Sequence, residues 1–231
     1  MKAKLKSLMT TAILVFAATG IFSSCKKDVK ATKASGEATS PRAAVAIPGS
    51  AFSLWQSCST YPTRSGNYIE VPFGGTECST NYVGAQQNGG QTASGMSFYG
   101  SFIGVSGAPD GAQEMAVFIC DNVSTWTGRE MGFVKTLNDN VLKAYVQSPG
   151  KYIYATISTG NTGNHTYKCQ VNPNNNSMVD FYVDNVYKLT LNNPGVSYKN
   201  MWSYFVGTTH RTVGGWSAGN SKITMSSMNV Y

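Results

Sequence analysis

The chain has 231 residues, with 18 Lys and Arg against 11 Asp and Glu, and a formal charge of +7. Charged residues make up 13%, hydrophobic ones 42% and aromatics 12%, with 24 Gly and 13 Tyr. This balance excludes an acidic disordered chain, a coiled coil and a multi-pass membrane protein, and it leaves a weakly charged chain of β character.

Residues 1–24 have the three parts of an export signal. Lys2, Lys4 and Lys6 precede a short apolar run, Ala12 to Ala18 with Ile21 and Phe22, and small Ser23 and Ser24 lead into Cys25. The run is too short and wrongly flanked for a permanent membrane span. Phe22-Ser23-Ser24-Cys25 resembles the lipobox of bacterial lipoproteins, although Phe22 stands where Leu is commoner. That resemblance implies that Cys25 becomes the mature N-terminus and carries several acyl chains, which hold a bilayer far better than one. The alternative is cleavage near Ser24 and release. Lys26, rather than Asp, follows the cysteine, so the resemblance implies the outer membrane and leaves the leaflet open. The membrane is then met through the lipid anchor alone.

Residues 25–46 are mostly Lys, Ala, Thr, Ser and Gly, with Pro41, and lack apolar periodicity, so they read as a flexible tether. Residues 1–42 carry a net charge of +6 and the rest only +1, from 10 basic and 9 acidic residues. The basicity therefore belongs to leader and tether, and no nucleic-acid partner is expected.

From 47 to 231 no window has the apolar spacing of a capped helix. Short β-rich runs separated by turn residues recur instead, the pattern of one all-β domain. In chain order the expected strands are 68–73, 96–105, 114–120, 130–135, 141–147, 152–158, 166–171, 179–183, 188–191, 202–207 and 223–231. Asn138-Asp139-Asn140, Ser148-Pro149-Gly150, Asn172-Pro173-Asn174 and Asp184-Asn185 supply turn chemistry between them. Alternation then sorts the faces. Leu142, Ala144 and Val146 share one side and Lys143, Tyr145 and Gln147 the other; Ile153, Ala155 and Ile157 alternate with Tyr152, Tyr154 and Thr156. Val179, Phe181 and Val183 read as core, turning Asp180 and Tyr182 outward, and Trp202 and Tyr204 share the wet face of one late strand. A tyrosine joins a flat apolar ring to a hydroxyl, which suits it to sugar faces.

Besides Cys25, four cysteines remain: Cys58, Cys78, Cys120 and Cys169. An even number in an exported chain points to disulfides, with Cys58–Cys78 and Cys120–Cys169 the first choice of three connectivities. No CxxC spacing exists and only His165 and His210 could help, so no zinc site is expected. A nucleophilic Cys169–His165 pair is less favoured than a bridge.

Glu130-Met131-Gly132-Phe133-Val134, Leu142-Lys143-Ala144-Tyr145-Val146-Gln147 and Val179-Asp180-Phe181-Tyr182-Val183-Asp184 together resemble successive strands of concanavalin A-like lectin and glucanase domains. The resemblance covers about residues 95–231. It implies a two-sheet antiparallel jelly-roll β-sandwich whose concave face binds a poly- or oligosaccharide. Tyr145, Gln147, Tyr152, Tyr154, Trp202 and Tyr204 are the expected ligand-binding residues. The resemblance does not imply catalysis, because the Glu-x-Asp-x-x-Glu arrangement of one large glucanase family is missing.

Among the acids, Glu114 and Glu130 each open a strand on the polar face and form the sharpest catalytic pair for a glycoside hydrolase. A retaining enzyme would need their carboxyls about 5–5.5 Å apart. A polysaccharide lyase would draw its base and its cation from Tyr145, Tyr152, His210 and Arg211. A structural or adhesive surface role is the third reading. No cofactor is expected; Asp121/Asn122 and Asp184/Asn185 offer hard oxygens to a structural calcium ion, although Asx turns explain them equally. Trp55, Trp126 and Trp216 stand outside these assignments, and the sequence assigns no oligomeric state.

Overall fold

Turn chemistry fixes the hairpins. Asp184 and Asn185 both take the left-handed conformation, with φ of 52° and 61°. Such a two-residue turn matches the twist of the strands it joins. Gly150 (φ 72°) and Asn140 (φ 54°) lie in the turns of two earlier hairpins. The computed structural model describes residues 43–56, 61–73, 80–86, 92–104, 113–121, 128–159, 162–202, 204–211 and 220–231; the side chains of 56, 80–86, 113, 162, 202, 204, 210 and 211 are not among those described.

Along these residues the strands are β1 (Val45–Ala46), β2 (Ser53–Gln56), β3 (Thr63–Ser65), β4 (Tyr68–Pro72), β5 (Thr80–Gln86), β6 (Thr92–Ala93), β7 (Gly95–Ile103), β8 (Gln113–Cys120) and β9 (Glu130–Thr136). They continue with β10 (Val141–Ser148), β11 (Lys151–Thr159), β12 (Thr162–Asn172), β13 (Asn175–Val183), β14 (Val186–Asn192), β15 (Met201–Trp202), β16 (Tyr204–Arg211) and β17 (Lys222–Val230). One antiparallel sheet runs β14-β13-β12-β7-β17-β4-β3, with β1 added on β17, and a second runs β11-β10-β9-β8-β16-β5-β2. The chain crosses between them repeatedly, so the fold is a two-sheet jelly-roll β-sandwich. Among the described residues no helix is long and apolar enough to cross a membrane.

The sheets close on a shared apolar interior. Met115, Val117 and Ile119 of β8, Met131 and Phe133 of β9, and Leu142, Ala144 and Val146 of β10 face Phe98, Phe102, Tyr167, Cys169 and Phe181. Phe98 stacks on Tyr167 at 5.0 Å between ring centroids, and Phe133 meets Phe181 edge-on at 5.5 Å. Each such ring contributes about 1.5–3 kcal/mol through burial, and the period-2 alternation of the strands delivers it.

Several expectations change. The run 202–207 is two strands: Trp202 pairs with Thr92 in a separate two-stranded ladder of β15 and β6, whereas Tyr204 starts β16 in the seven-stranded sheet. Trp202 and Tyr204 therefore do not share one strand face. β1 pairs Val45 with Val230 and Ala46 with Asn229, so pairing begins inside the stretch expected to be tether. Asp180 is on an outward position but only 5% exposed, because Asn172 and Thr190 donate hydrogen bonds to its carboxylate. The Cys120–Cys169 bridge does not form. Cys169 is a free thiol in the interior between the sheets, its pKa pushed up to about 12 by burial. Cys120 lies in a different apolar cluster, on the outer face of the seven-stranded sheet. Cys25, Cys58 and Cys78 lie outside the described residues.

Candidate functional site

Register assembles the outer face of the seven-stranded sheet in rows. The first row across β16, β8, β9, β10 and β11 is Tyr204, Cys120, Glu130, Gln147, Tyr152. The second is Val206, Phe118, Gly132, Tyr145, Tyr154, and the third is Thr208, Ala116, Val134, Lys143, Thr156. Tyr145, Gln147, Tyr152 and Tyr154 thus come together, as the alternation of β10 and β11 predicts. The backbone of Tyr204 joins their row; its side chain and that of Trp202 lie outside those described.

The rings form a ladder. Phe118 meets Tyr145 at 6.1 Å, Tyr145 meets Tyr152 at 5.3 Å and Tyr152 meets Tyr154 at 5.5 Å. Gly132 separates Phe118 from Tyr145 in their row and has no room for a side chain: an added Cβ would fall 2.3 Å from the Val117 carbonyl oxygen and 2.5 Å from Phe118 Cβ. Glycine there lets the two rings meet across β9. Tyr145, expected on the wet face, is on that face but only 3% exposed, covered by its neighbours and by the cluster of Ala116, Phe118, Val134 and Val206. Tyr152 and Tyr154 remain open to solvent, at 38% and 52%.

Charge on this face is compensated. Lys143 Nζ lies 5.2 Å from the Tyr154 ring centroid and donates to Asp139 Oδ2 and Thr136 Oγ1, each at 3.1 Å. The Thr136 hydroxyl and the Lys143 ammonium hold the Asp139 carboxyl below its usual range despite some burial. Glu130 is 5% exposed, and burial pushes its carboxyl up to about 7, opposed by the Tyr145 hydroxyl donating to Oε2 at 3.3 Å and helped by the Asp121 charge. Glu114 is raised by burial and partly restored by Lys143. Burial drives Tyr145 well above the ordinary phenol value; Tyr152 is raised as well, by the packing around it even though 38% of its surface stays open, and the charges of Glu114 and Glu130 add to that shift. These hydroxyls keep their protons at neutral pH.

Glu114 and Glu130 are not brought together. Glu114 stands opposite Thr136 and Glu130 opposite Cys120, the two ends of the β8–β9 ladder. Six residues at ~3.4 Å each place their backbones about 20 Å apart, which two glutamates cannot close to the spacing a retaining glycosidase needs. The backbones of His210 and Arg211 sit at the Glu114 end, opposite Glu114 and Gln113, while Tyr145 and Tyr152 lie near Glu130. Among the described residues no group of three or more His, Cys, Asp and Glu could hold a metal ion. Asp121 is occupied by Arg129, whose backbone N–H and Nε both donate to it at 2.6 Å. Asp184 is occupied by His165 Nδ1 at 2.6 Å and by the Thr166 N–H at 2.9 Å.

Two features of this face escaped the sequence reading. The 193–200 segment is fastened to its Glu130 end: buried Tyr198 donates to the Gln147 carbonyl at 3.1 Å, and Asn193 Nδ2 donates to Tyr198 Oη at 2.8 Å and Ser148 Oγ at 3.1 Å. Arg129 also donates to the Ser197 carbonyl. Only the polar Asn193 next to Pro194 hinted at this, since the contacts span some fifty residues. Trp55 is the other: it is 58% exposed at the β2 edge and reaches the third row through the Tyr82–Thr208 pairing.

No family model and no curated protein matches the sequence. Solved structures do match in fold. Bacillus licheniformis β-glucanase superposes with a TM-score of 0.55 at 9% identity, over 80% of this chain and 96% of its own. The fold is that of the concanavalin A-like lectins and glucanases. A native glycosidic hydrolase gives 0.56 at 10% identity over 84% and 98%. The carbohydrate recognition domain of Emp46p in its potassium-bound form gives 0.53 at 10% identity over 79% and 88%. At these identities the likeness establishes architecture alone, and the chemistry has to come from the residues on the sheet.

Proposed function

We propose that this chain is an extracytoplasmic carbohydrate-binding protein, lipid-anchored through Cys25 to the bacterial outer membrane, that holds a glycan on the outer face of its seven-stranded sheet. The observation that carries the reading is the ladder from buried Tyr145 to exposed Tyr152 and Tyr154. Two partly exposed rings, Tyr152 and Tyr154, stand beside Gln147 and the Lys143 ammonium, an apolar surface edged by hydrogen-bonding groups. Aromatic side chains provide large contact area at small entropic cost. The fold supports the reading, because solved structures that share it include a carbohydrate recognition domain and a β-glucanase.

A glycan array probed with the full chain tests it. Tyr154→Ala and Tyr152→Ala are expected to weaken the bound signal at least tenfold while the β-rich circular dichroism spectrum stays unchanged. Undiminished binding in both would remove the site. For the anchor, radiolabelled palmitate should enter the wild-type chain and not Cys25→Ala, and equal labelling of the two would exclude Cys25.

A second reading, glycoside hydrolysis, has one observation in its favour: a carboxyl that titrates near neutrality and receives the Tyr145 hydroxyl, as a general acid would. It lacks the second carboxylate, since Glu114 lies at the other end of the ladder. Loss of product from a polysaccharide screen in Glu130→Gln would favour hydrolysis; absence of product in the wild type would leave binding alone.

A further inference from the structure

The opposite face of the sandwich carries a second tyrosine platform, built around a cation. One row across β14, β13, β12, β7 and β17 reads Tyr187, Tyr182, Lys168, Ser97, Asn229. Lys168 Nζ lies 5.6 Å from the Tyr182 ring centroid and 4.9 Å from that of Tyr231, so two rings flank it. Tyr187 meets Tyr182 edge-on at 5.8 Å and stays 36% exposed, and Tyr99 in the neighbouring row is 44% exposed. The Tyr231 hydroxyl is fixed on Ser97 Oγ at 2.6 Å, while Gln170 hydrogen-bonds that of Tyr182. The rings are therefore oriented rather than loose.

Lys168 differs from four other cations of the domain. Arg129 is paired with Asp121, Lys143 with Asp139, Lys222 with Glu70 and His165 with Asp184. Lys168 forms no ion pair among the described residues; burial between the rings lowers its proton affinity, and no carboxylate offsets that loss. A half-buried ammonium without a counter-charge is costly, and flanking rings restore only about 0.5–2 kcal/mol. An incoming anion would complete it.

We propose that the outer face of the eight-stranded sheet around Lys168 is a second saccharide site, which takes a glycan bearing a carboxylate or sulfate, with the anion on Lys168 and the sugar rings on Tyr182, Tyr187 and Tyr99. Five strands at about 4.8 Å spacing make the platform about 19 Å wide, long enough for a short oligosaccharide. The chemistry selects this partner over others. An anionic membrane surface is met by clusters of four to eight basic residues, and nucleic acid by several cations along a stripe; here a single lysine is framed by tyrosines. A protein interface has an apolar centre, whereas the positions around these rings are Ser97, Asn229 and the row Gln170, Asp180, Thr190, in which the Asp180 carboxylate is buried and takes hydrogen bonds from Asn172 and Thr190. The site is independent of the proposed glycan face on the other sheet.

Affinity electrophoresis of the full chain in gels containing polygalacturonate, dextran sulfate or neutral dextran tests it. The basic leader and tether give a background common to all variants. At least one acidic polymer should retard the wild type while neutral dextran does not. Lys168→Gln should weaken that retardation about tenfold, the scale of one charge-assisted hydrogen bond. Tyr182→Ala should weaken it too, and Lys168→Arg should retain it. Tyr154→Ala, on the other sheet, should leave it unchanged. Retardation of Lys168→Gln equal to wild type would overturn the proposal, as would an equal loss in Lys188→Gln, which would mark diffuse charge. Lys168-dependent sedimentation with phosphatidylglycerol vesicles and no retardation by either acidic polymer would replace the saccharide by a lipid headgroup. A melting temperature within a few degrees of wild type certifies each variant as folded.

Discussion

The two outer faces of the sandwich use the same materials in opposite ways. Each sets tyrosines beside a lysine, Lys143 in the row next to Tyr145 and Tyr154, and Lys168 in the same row as Tyr182 and Tyr187. On the seven-stranded sheet the charges cancel: Lys143 is tied to Asp139, and buried Glu130 keeps its proton to about pH 7. On the eight-stranded sheet Lys168 sits between Tyr182 and Tyr231 with no ion pair among the described residues. The first face suits an uncharged ligand and the second an acidic one. The contrast also separates packing from display. Tyr145 is part of a second small core, whereas Tyr187 and Tyr99 lie on top of their sheet.

That distinction predicts the largest effect on stability. Tyr145→Ala should cost about 3 kcal/mol or more, because it empties a buried site between Phe118 and Tyr152. Tyr187→Ala should cost less than about 1 kcal/mol. Urea unfolding measures both, and equal costs would erase the difference between the faces.

Next in size is the pH dependence of Glu130. Its carboxyl rises from an ordinary 4.5 to about 7 in the folded chain, so the native state holds the proton more tightly than the unfolded one. Its contribution is therefore full below about pH 4.5 and is lost as pH rises through 7, on the order of 3 kcal/mol in all. Glu130→Gln should flatten that fall and be more stable than wild type at pH 8.5, with little difference at pH 4. Parallel pH profiles of the two would contradict the buried, protonated carboxyl. Gly132→Ala comes third: the new methyl meets the Val117 carbonyl, and about 1–3 kcal/mol of stability should be lost, with weaker glycan binding as Phe118 and Tyr145 are driven apart. Smallest is Lys143→Met. It breaks an exposed ion pair, so less than about 1 kcal/mol should be lost, and less still in high salt.

The legible parts of the molecule are those governed by local rules. From Lys143 to Thr156 β10 and β11 pair in unbroken register, and Ser148-Pro149-Gly150 joins them through a tight turn, so Tyr145, Gln147, Tyr152 and Tyr154 fall on one face by parity alone. The failures are non-local. Glu114 and Glu130 each open a strand, but antiparallel neighbours start at opposite ends of their ladder. Cys120 and Cys169 each look like half of a bridge, and only the stacking of the sheets puts one outside and the other within. β5 pairs between β16 and β2 although Gly84 and Ala85 give it no alternation to read. The Lys168 platform draws on β7, β12, β13 and the end of the chain beyond β17, a juxtaposition no window of sequence contains.

The central claim, that an uncharged glycan lies on the tyrosines of the seven-stranded sheet, is tested most directly by NMR of the full chain labelled with 13C-tyrosine, titrated with the glycan selected by the array. The ring signals of Tyr152 and Tyr154 should shift in step with saturation while those of Tyr182 and Tyr187 stay in place. Shifts confined to Tyr182 and Tyr187, with Tyr152 and Tyr154 unmoved, would contradict the assignment.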